Sequence, residues 1–197
     1  SLKLAGDMLG RAERAATLAA YAEASFAMVD RVLARVPADR RPRVYLARGA
    51  EGLETGSRGS INTEIIERAG AVNVAQGLGG TGNISNASLE QIIAWQPDII
   101  VTLDRTFFAN VKSKPGWNQV RAVANNRVHL APSLPWGWID APPSLNRLIG
   151  LRWLLSLFYP AEAGIDLRAE TRGFYELFYG VDVTDTQLAQ LLGGTAN

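Results

Sequence analysis

Gln96-Pro97-Asp98-Ile99-Ile100-Val101-Thr102-Leu103 is the stretch that decides the fold. Pro97 and Asp98 turn the chain, and the run that follows is almost wholly apolar. A half-buried strand alternates apolar and polar residues; one that is apolar on both faces belongs to a sheet covered on both sides. Working outward, short β-rich segments of the same kind stand at Arg43-Val44-Tyr45-Leu46-Ala47, Val72-Asn73-Val74-Ala75 and Val128-His129-Leu130-Ala131. Helical patterns lie between and after them. One opens near Ser60, read as an N-cap with Glu64 in its first turn. A second opens at Ser88-Leu89-Glu90-Gln91, where Ser88 and Gln91 hold capping-box spacing. The tail predicts helices over 144–158, about 168–179, and 185–192. This alternation predicts an α/β fold: a Rossmann-like parallel sheet of about four strands flanked by helices.

Ahead of the sheet, residues 2–36 contain no proline and only two glycines, Gly6 and Gly10. Leu18, Tyr21, Ala22, Ser25, Val29, Val32, Leu33 and Val36 recur at spacings of three and four, an apolar helical stripe that Pro37 stops. One long N-terminal helix of this extent would reach about 50 Å, more than a small domain is wide. It reads as a connecting helix, with a coiled coil as the plainer alternative, although steady a/d leucines are missing.

Composition bounds the rest. The 197 residues are 47% hydrophobic and 20% charged, which suits a packed core and excludes intrinsic disorder. Lys plus Arg total 20 against 19 for Asp plus Glu, so no concentrated positive face for nucleic acid is expected. The absence of cysteine removes disulfides, thiolate nucleophiles and Cys-ligated metals. No apolar run approaches the roughly 20 residues that cross a bilayer.

In open parallel sheets, ligands bind outside the carboxyl ends of the strands, so the following loops are the candidate sites. The glycine-containing loop after Ala47 lacks the Gly-Lys-Ser/Thr ending of a phosphate loop. Gly77-Leu78-Gly79-Gly80-Thr81-Gly82 is a loose dinucleotide fingerprint whose acidic partner, Asp104, falls late; turn geometry is the simpler reading. Asp104-Arg105-Thr106-Phe107-Phe108 reads equally as a binding rim or as a helix cap with core aromatics. Leu134-Pro135-Trp136-Gly137-Trp138-Ile139-Asp140 places two rigid tryptophans in a proline-rich loop, as pocket walls or as a lid over the sheet. Catalysis has little support. The one histidine, His129, sits within a predicted strand, and no Gly-x-Ser-x-Gly elbow or metal-ligand spacing is present.

Several segments, in this order, resemble the periplasmic substrate-binding proteins of iron-complex and vitamin B12 ABC importers. They are the long helix, the Arg-Val-Tyr strand, residues 59–75, Ser88-Leu89-Glu90-Gln91-Ile92 leading to Gln96-Pro97-Asp98, and Trp117-x-x-Val120-x-Ala122-Val123 before Asn126-Arg127-Val128. Pro143-Ser144 leading to Tyr159-Pro160 completes the set. The resemblance covers about residues 1–180. It implies two α/β lobes joined by a rigid helix, with ligand held in the cleft between them. Residues 1–37 would be that connecting helix and 38–197 the C-terminal lobe, the N-terminal lobe and signal peptide lying outside this chain.

The resemblance further implies a non-enzymatic, periplasmic capture protein that delivers ligand to a membrane permease, with no cofactor and no nucleic acid. Its cleft wall would comprise Arg48, Glu54, Arg105, Trp136, Trp138 and Asp140, and Glu90 would dock on the permease. Arginines suit the oxygens of an iron chelate, and tryptophans would stack on its flat body. An iron siderophore or haem is the leading ligand class, with cobalamin within the family's range. The alternatives are a molybdate or tungstate oxyanion and, from another class, a nucleotide-dependent Rossmann-like enzyme or a cytoplasmic interaction domain.

Overall fold

A computed structural model describes residues 2–76, 78 and 84–193. In chain order these contain α1 (Leu2–Met8), α2 (Ala12–Leu33), β1 (Arg43–Ala47), β2 (Glu54–Gly56), α3 (Glu64–Arg68), β3 (Val72–Asn73) and β4 (Ile84–Asn86). There follow α4 (Leu89–Trp95), β5 (Ile99–Thr102), α5 (Arg105–Asn110), α6 (Arg121–Ala124) and β6 (Val128–Leu130). The tail is α7 (Arg147–Phe158), α8 (Pro160–Ala163), α9 (Leu167–Tyr179) and α10 (Asp185–Leu192).

The main sheet has four parallel strands in the order β3-β1-β5-β6. All four residues of β5 are buried, as its apolar run requires. Its side chains alternate between two cores. Ile99 and Val101 join Val44 and Leu46 beneath α2, α3, α7 and α9. Ile100 joins Tyr45, Ala47 and Val128 against Ile92, Phe107, Trp117 and Val123 on the other face. The sheet is therefore sandwiched between two helical layers. α7 is the central helix of one layer, with Leu148 to Leu155 buried without interruption.

Two sequence expectations change. The N-terminal segment is not one helix: α1 ends at Met8, and Gly10 takes a left-handed φ of +62° that stops it. The N–H groups of Leu9 and Arg11 then donate back to the carbonyls of Ala5 and Gly6, and α1 folds against α2. Gly6 allows this approach, since a Cβ there would stand 2.4 Å from the Ala15 Cβ. The remaining helix, α2, has 22 residues, or roughly 33 Å. Its buried Ser25, Val29 and Val32 pack it onto the domain, mainly along α7.

Ser60 does not cap a helix. Its hydroxyl lies 3.2 Å from Thr63 Oγ1, and α3 begins at Glu64. The Ser88–Gln91 capping box is present as read. The glycine stretch 77–82 lies outside the described residues apart from Leu78. On either side of it, β2 and β4 pair as an antiparallel ribbon, which the sequence pattern did not reveal.

Candidate functional site

The chain runs from β1 to β3 on one side, then crosses β1 to reach β5 on the other. The loops after β1 and β5 thus diverge at the carboxyl edge, the topological switch at which open α/β sheets hold ligands in a crevice.

Arg48 follows β1 directly. Its backbone N–H donates to the Glu54 carbonyl at 2.8 Å, closing the loop onto β2. The loop fits because Gly52, at φ +72°, has no Cβ; one would collide with the Phe107 ring at 2.2 Å. The Arg48 guanidinium donates from Nη1 to Asp140 Oδ2, which comes from the segment after β6. Loops of two strands that are not neighbours are thereby tied across β5. Asp140 is buried, whereas Arg48 is partly exposed, and Arg48 Nε meets no acceptor among the described residues. Glu54 is exposed, and its carboxylate folds back over Gly49. Arg105, the first residue of α5, is exposed at the same edge, outside the described ion pairs.

Asp104 Oδ1 accepts from the Phe107 N–H at 2.8 Å, and Phe107 packs edge-on against Trp117 with centroids 4.8 Å apart. Of the two readings of that loop, cap and core describe Asp104 and Phe107; only Arg105 remains at the rim.

The tryptophans separate. Trp136 is 54% exposed, but Trp138 is 0% exposed and belongs to the core under α7. Trp138 is therefore no wall of an open pocket. The physical reason is backbone contact: the Trp138 N–H donates to the Pro132 carbonyl at 3.0 Å, and its own carbonyl sits where a Cβ on Gly150 would be, 2.0 Å away. Gly150 lets this loop lie directly on α7, which turns Trp138 inward.

Sequence reasoning missed the residues that hold Trp136. Asn146 Nδ2 donates to the Trp136 carbonyl at 2.9 Å, and the Tyr179 hydroxyl donates to Asn146 Oδ1 at 2.6 Å. The Tyr175 hydroxyl donates to the Leu134 carbonyl. Only tertiary proximity signals these contacts, since α9 lies far along the chain. Tyr175, Tyr179, Leu134, Pro135, Val183 and Leu191 line an open cavity of about 510 Å3. It is apolar, and none of Arg48, Glu54, Arg105 or Asp140 lines it.

His129 is buried on the face it shares with its register partner Val101, and neither ring nitrogen has a partner among the described residues. Burial, helped by the charge of Arg127, pushes its pKa down to about 4. That keeps it neutral and structural. Glu90 is exposed in the first turn of α4, where its own backbone N–H and then Ser88 hold its carboxyl below the usual range. Among the described residues no three His, Cys, Asp or Glu side chains gather to hold a metal, and no helix is long and apolar enough to cross a membrane.

The chain is an open parallel α/β lobe that carries an arginine and an exposed tryptophan at its carboxyl edge. The periplasmic binding protein family matches residues 1–134, and the chain belongs to that family. It is 30% identical over 150 residues to the molybdate-binding protein MolA of Haemophilus influenzae, covering 75% of this chain and 41% of MolA. The structure of molybdate-bound MolA superposes with a TM-score of 0.73 at 26% identity, over 93% of this chain and 56% of that one. An ABC transporter solute binding protein of Sulfurospirillum deleyianum gives a TM-score of 0.91 at 30% identity, over 98% of this chain and 60% of that one. The periplasmic haem-binding protein RhuT of Roseiflexus, at 24% identity and a TM-score of 0.62 over 82% of this chain and 61% of its own, shares the fold alone. The chain thus spans about two-fifths to three-fifths of these relatives' lengths.

Proposed function

We propose that the protein is the solute-capture component of an ABC importer, working in the periplasm by binding alone and taking an anionic ligand. The observation that carries this reading is Arg48. It stands at the topological switch, oriented by a buried carboxylate, with guanidinium N–H capacity beyond its bond to Asp140. Residues 1–37 would join this lobe to a second one, with α2 as the connecting element. Arg105 would add charge at the rim, and Glu90 would meet the permease.

Between ligand classes, the burial of Trp138 reverses the order expected from the sequence. A large flat chelate loses one of its two stacking surfaces, and the likeness to MolA favours an oxyanion of the molybdate type. An iron siderophore or haem is the second reading, favoured by the half-exposed Trp136.

Calorimetric titration of the complete gene product with molybdate and with a ferric siderophore tests both. Arg48→Gln alone would strand Asp140 as an unpaired buried charge, so it is combined with Asp140→Asn. The double variant is expected to keep its fold and bind roughly tenfold or more weakly, since a hydrogen bond to a charged group contributes about 1.5–3 kcal/mol. Unchanged affinity for whichever ligand binds would remove Arg48 from the site, and no binding of either would reject the anion reading.

A further inference from the structure

A second concavity lies at the other end of the sheet, beside the amino ends of β1 and β3. Its volume is about 200 Å3, and Arg41, Arg58, Glu67 and the 70–73 segment line it. Unlike the apolar cavity beside Tyr175 and Tyr179, this one is polar.

Arg40, Arg68, Arg121 and Arg147 each pair with a carboxylate. Arg41 and Arg58 are outside every described ion pair, and Arg41 Nε is buried with no acceptor among the described residues. A desolvated guanidinium donor is costly unless an acceptor meets it, and an anion held in this hollow would supply one.

The one acid in the lining is already engaged. Glu67 accepts from the Gly59 N–H at 3.0 and 3.2 Å, and it accepts from Thr63 Oγ1 at 3.3 Å and Asn73 Nδ2 at 3.4 Å. The volume falls below the roughly 300–1,000 Å3 of a site for a drug-sized ligand. Two guanidinium forks in a small polar hollow suit a group with three or more oxygens, because each fork can take its own pair of them.

We propose that Arg41 and Arg58 form a binding site for a phosphate group, separate from the crevice and independent of the ligand captured there. The source is either free phosphate or a phosphorylated headgroup.

The test is calorimetric titration with inorganic phosphate of the complete gene product carrying Arg48→Gln and Asp140→Asn, which weakens anion binding at the crevice. Arg41→Gln and Arg58→Gln are each expected to weaken binding roughly tenfold. Arg11→Gln, an exposed charge between α1 and α2, is expected to leave it unchanged. Arg58 is exposed, so R58Q keeps the fold and remains informative where R41Q does not. Flotation with phosphatidylcholine vesicles containing phosphatidic acid separates the sources. Arg58-dependent flotation identifies a headgroup, and phosphate binding without flotation identifies the free ion. Neither phosphate binding nor flotation, or an equal loss in R11Q, overturns the proposal.

Discussion

Two arginine–carboxylate pairs sit in different parts of this lobe and differ in what surrounds them. On the helical face, Arg152 of α7 donates from Nε and Nη2 to Ser25 Oγ of α2 at 3.3 and 3.2 Å, and from Nη1 to Glu170 of α9. Its guanidinium carbon lies 4.4 Å from the Tyr21 ring centroid. Burial, which outweighs the charge of Arg152, holds the Tyr21 pKa up at about 12, so the ring stays neutral. All three guanidinium nitrogens and the face are therefore used within the chain, and the cluster locks α2, α7 and α9 together. At the crevice, Arg48 is fixed by Asp140 through Nη1, and its Nε meets no described acceptor. A structural arginine closes its hydrogen bonds inside the fold; one held ready for a ligand is oriented but left incomplete. The loops show the same division: Trp138 belongs to the closed region and Trp136 to the open one.

The largest effect should come from opening the closed region at its centre. Trp138→Ala removes a fully buried indole where the Gly150 contact prevents the loop from collapsing. It should cost about 4 kcal/mol, within the range for buried Trp-to-Ala changes, measured by denaturant unfolding. A loss below about 1 kcal/mol would show that Trp138 does not hold this loop. Arg152→Ala should follow at about 3 kcal/mol, the low end for a broken buried pair because Glu170 is partly exposed. For a chain of this size that is a fall of roughly 6–12 °C in Tm. A comparable fall in the Arg48→Gln, Asp140→Asn double variant would erase the distinction between the two arginines.

His129 tests the closed region by pH. Its folded pKa of about 4 lies below the ordinary value of 6.5, so the unfolded chain takes up the proton first as pH drops. Its contribution is intact above pH 6.5, shrinks between 6.5 and 4, and is gone below 4. At pH 4.5 the deficit should be roughly 2–3 kcal/mol. His129→Met should lose less stability than the wild type between pH 7 and 4.5 by about that amount. Equal losses would mean that His129 can protonate in place.

What the sequence made legible was local. The bounds of β1 and α10 and the Ser88 capping box follow from residues within a few positions of one another. What it hid depends on distant partners. The β2–β4 ribbon pairs three-residue segments, too short for a period, across the glycine stretch. The break at Gly10 was hidden because helices tolerate single glycines, and only the packing of Gly6 on Ala15 shows why the chain turns there. In the site, the family resemblance implied Arg48 and Asp140 as cleft residues, but their pairing joins positions 92 apart. Trp136 and Trp138 have the same residue type in the same loop; a glycine on α7 decides which of them faces inward.

The smallest effect on stability is the most useful for ligand identity. Trp136 is 54% exposed, and among the described residues only its backbone carbonyl is tied, to Asn146. Trp136→Ala should therefore change stability by no more than about 0.5 kcal/mol, as expected for a surface substitution away from caps and cores. Its effect on binding should split the two ligand readings. A compact oxyanion held by guanidinium N–H groups has no flat surface to stack on an indole, so molybdate affinity should stay within about twofold. A haem or aromatic siderophore would lose a ring contact of about 0.5–1.5 kcal/mol beyond the area buried, a drop of several-fold to tenfold. Parallel titrations of wild type and Trp136→Ala with both ligands measure this difference. Weakened molybdate binding in a fully folded variant would return the indole to the oxyanion site and end the separation of open rim from anion-binding arginine.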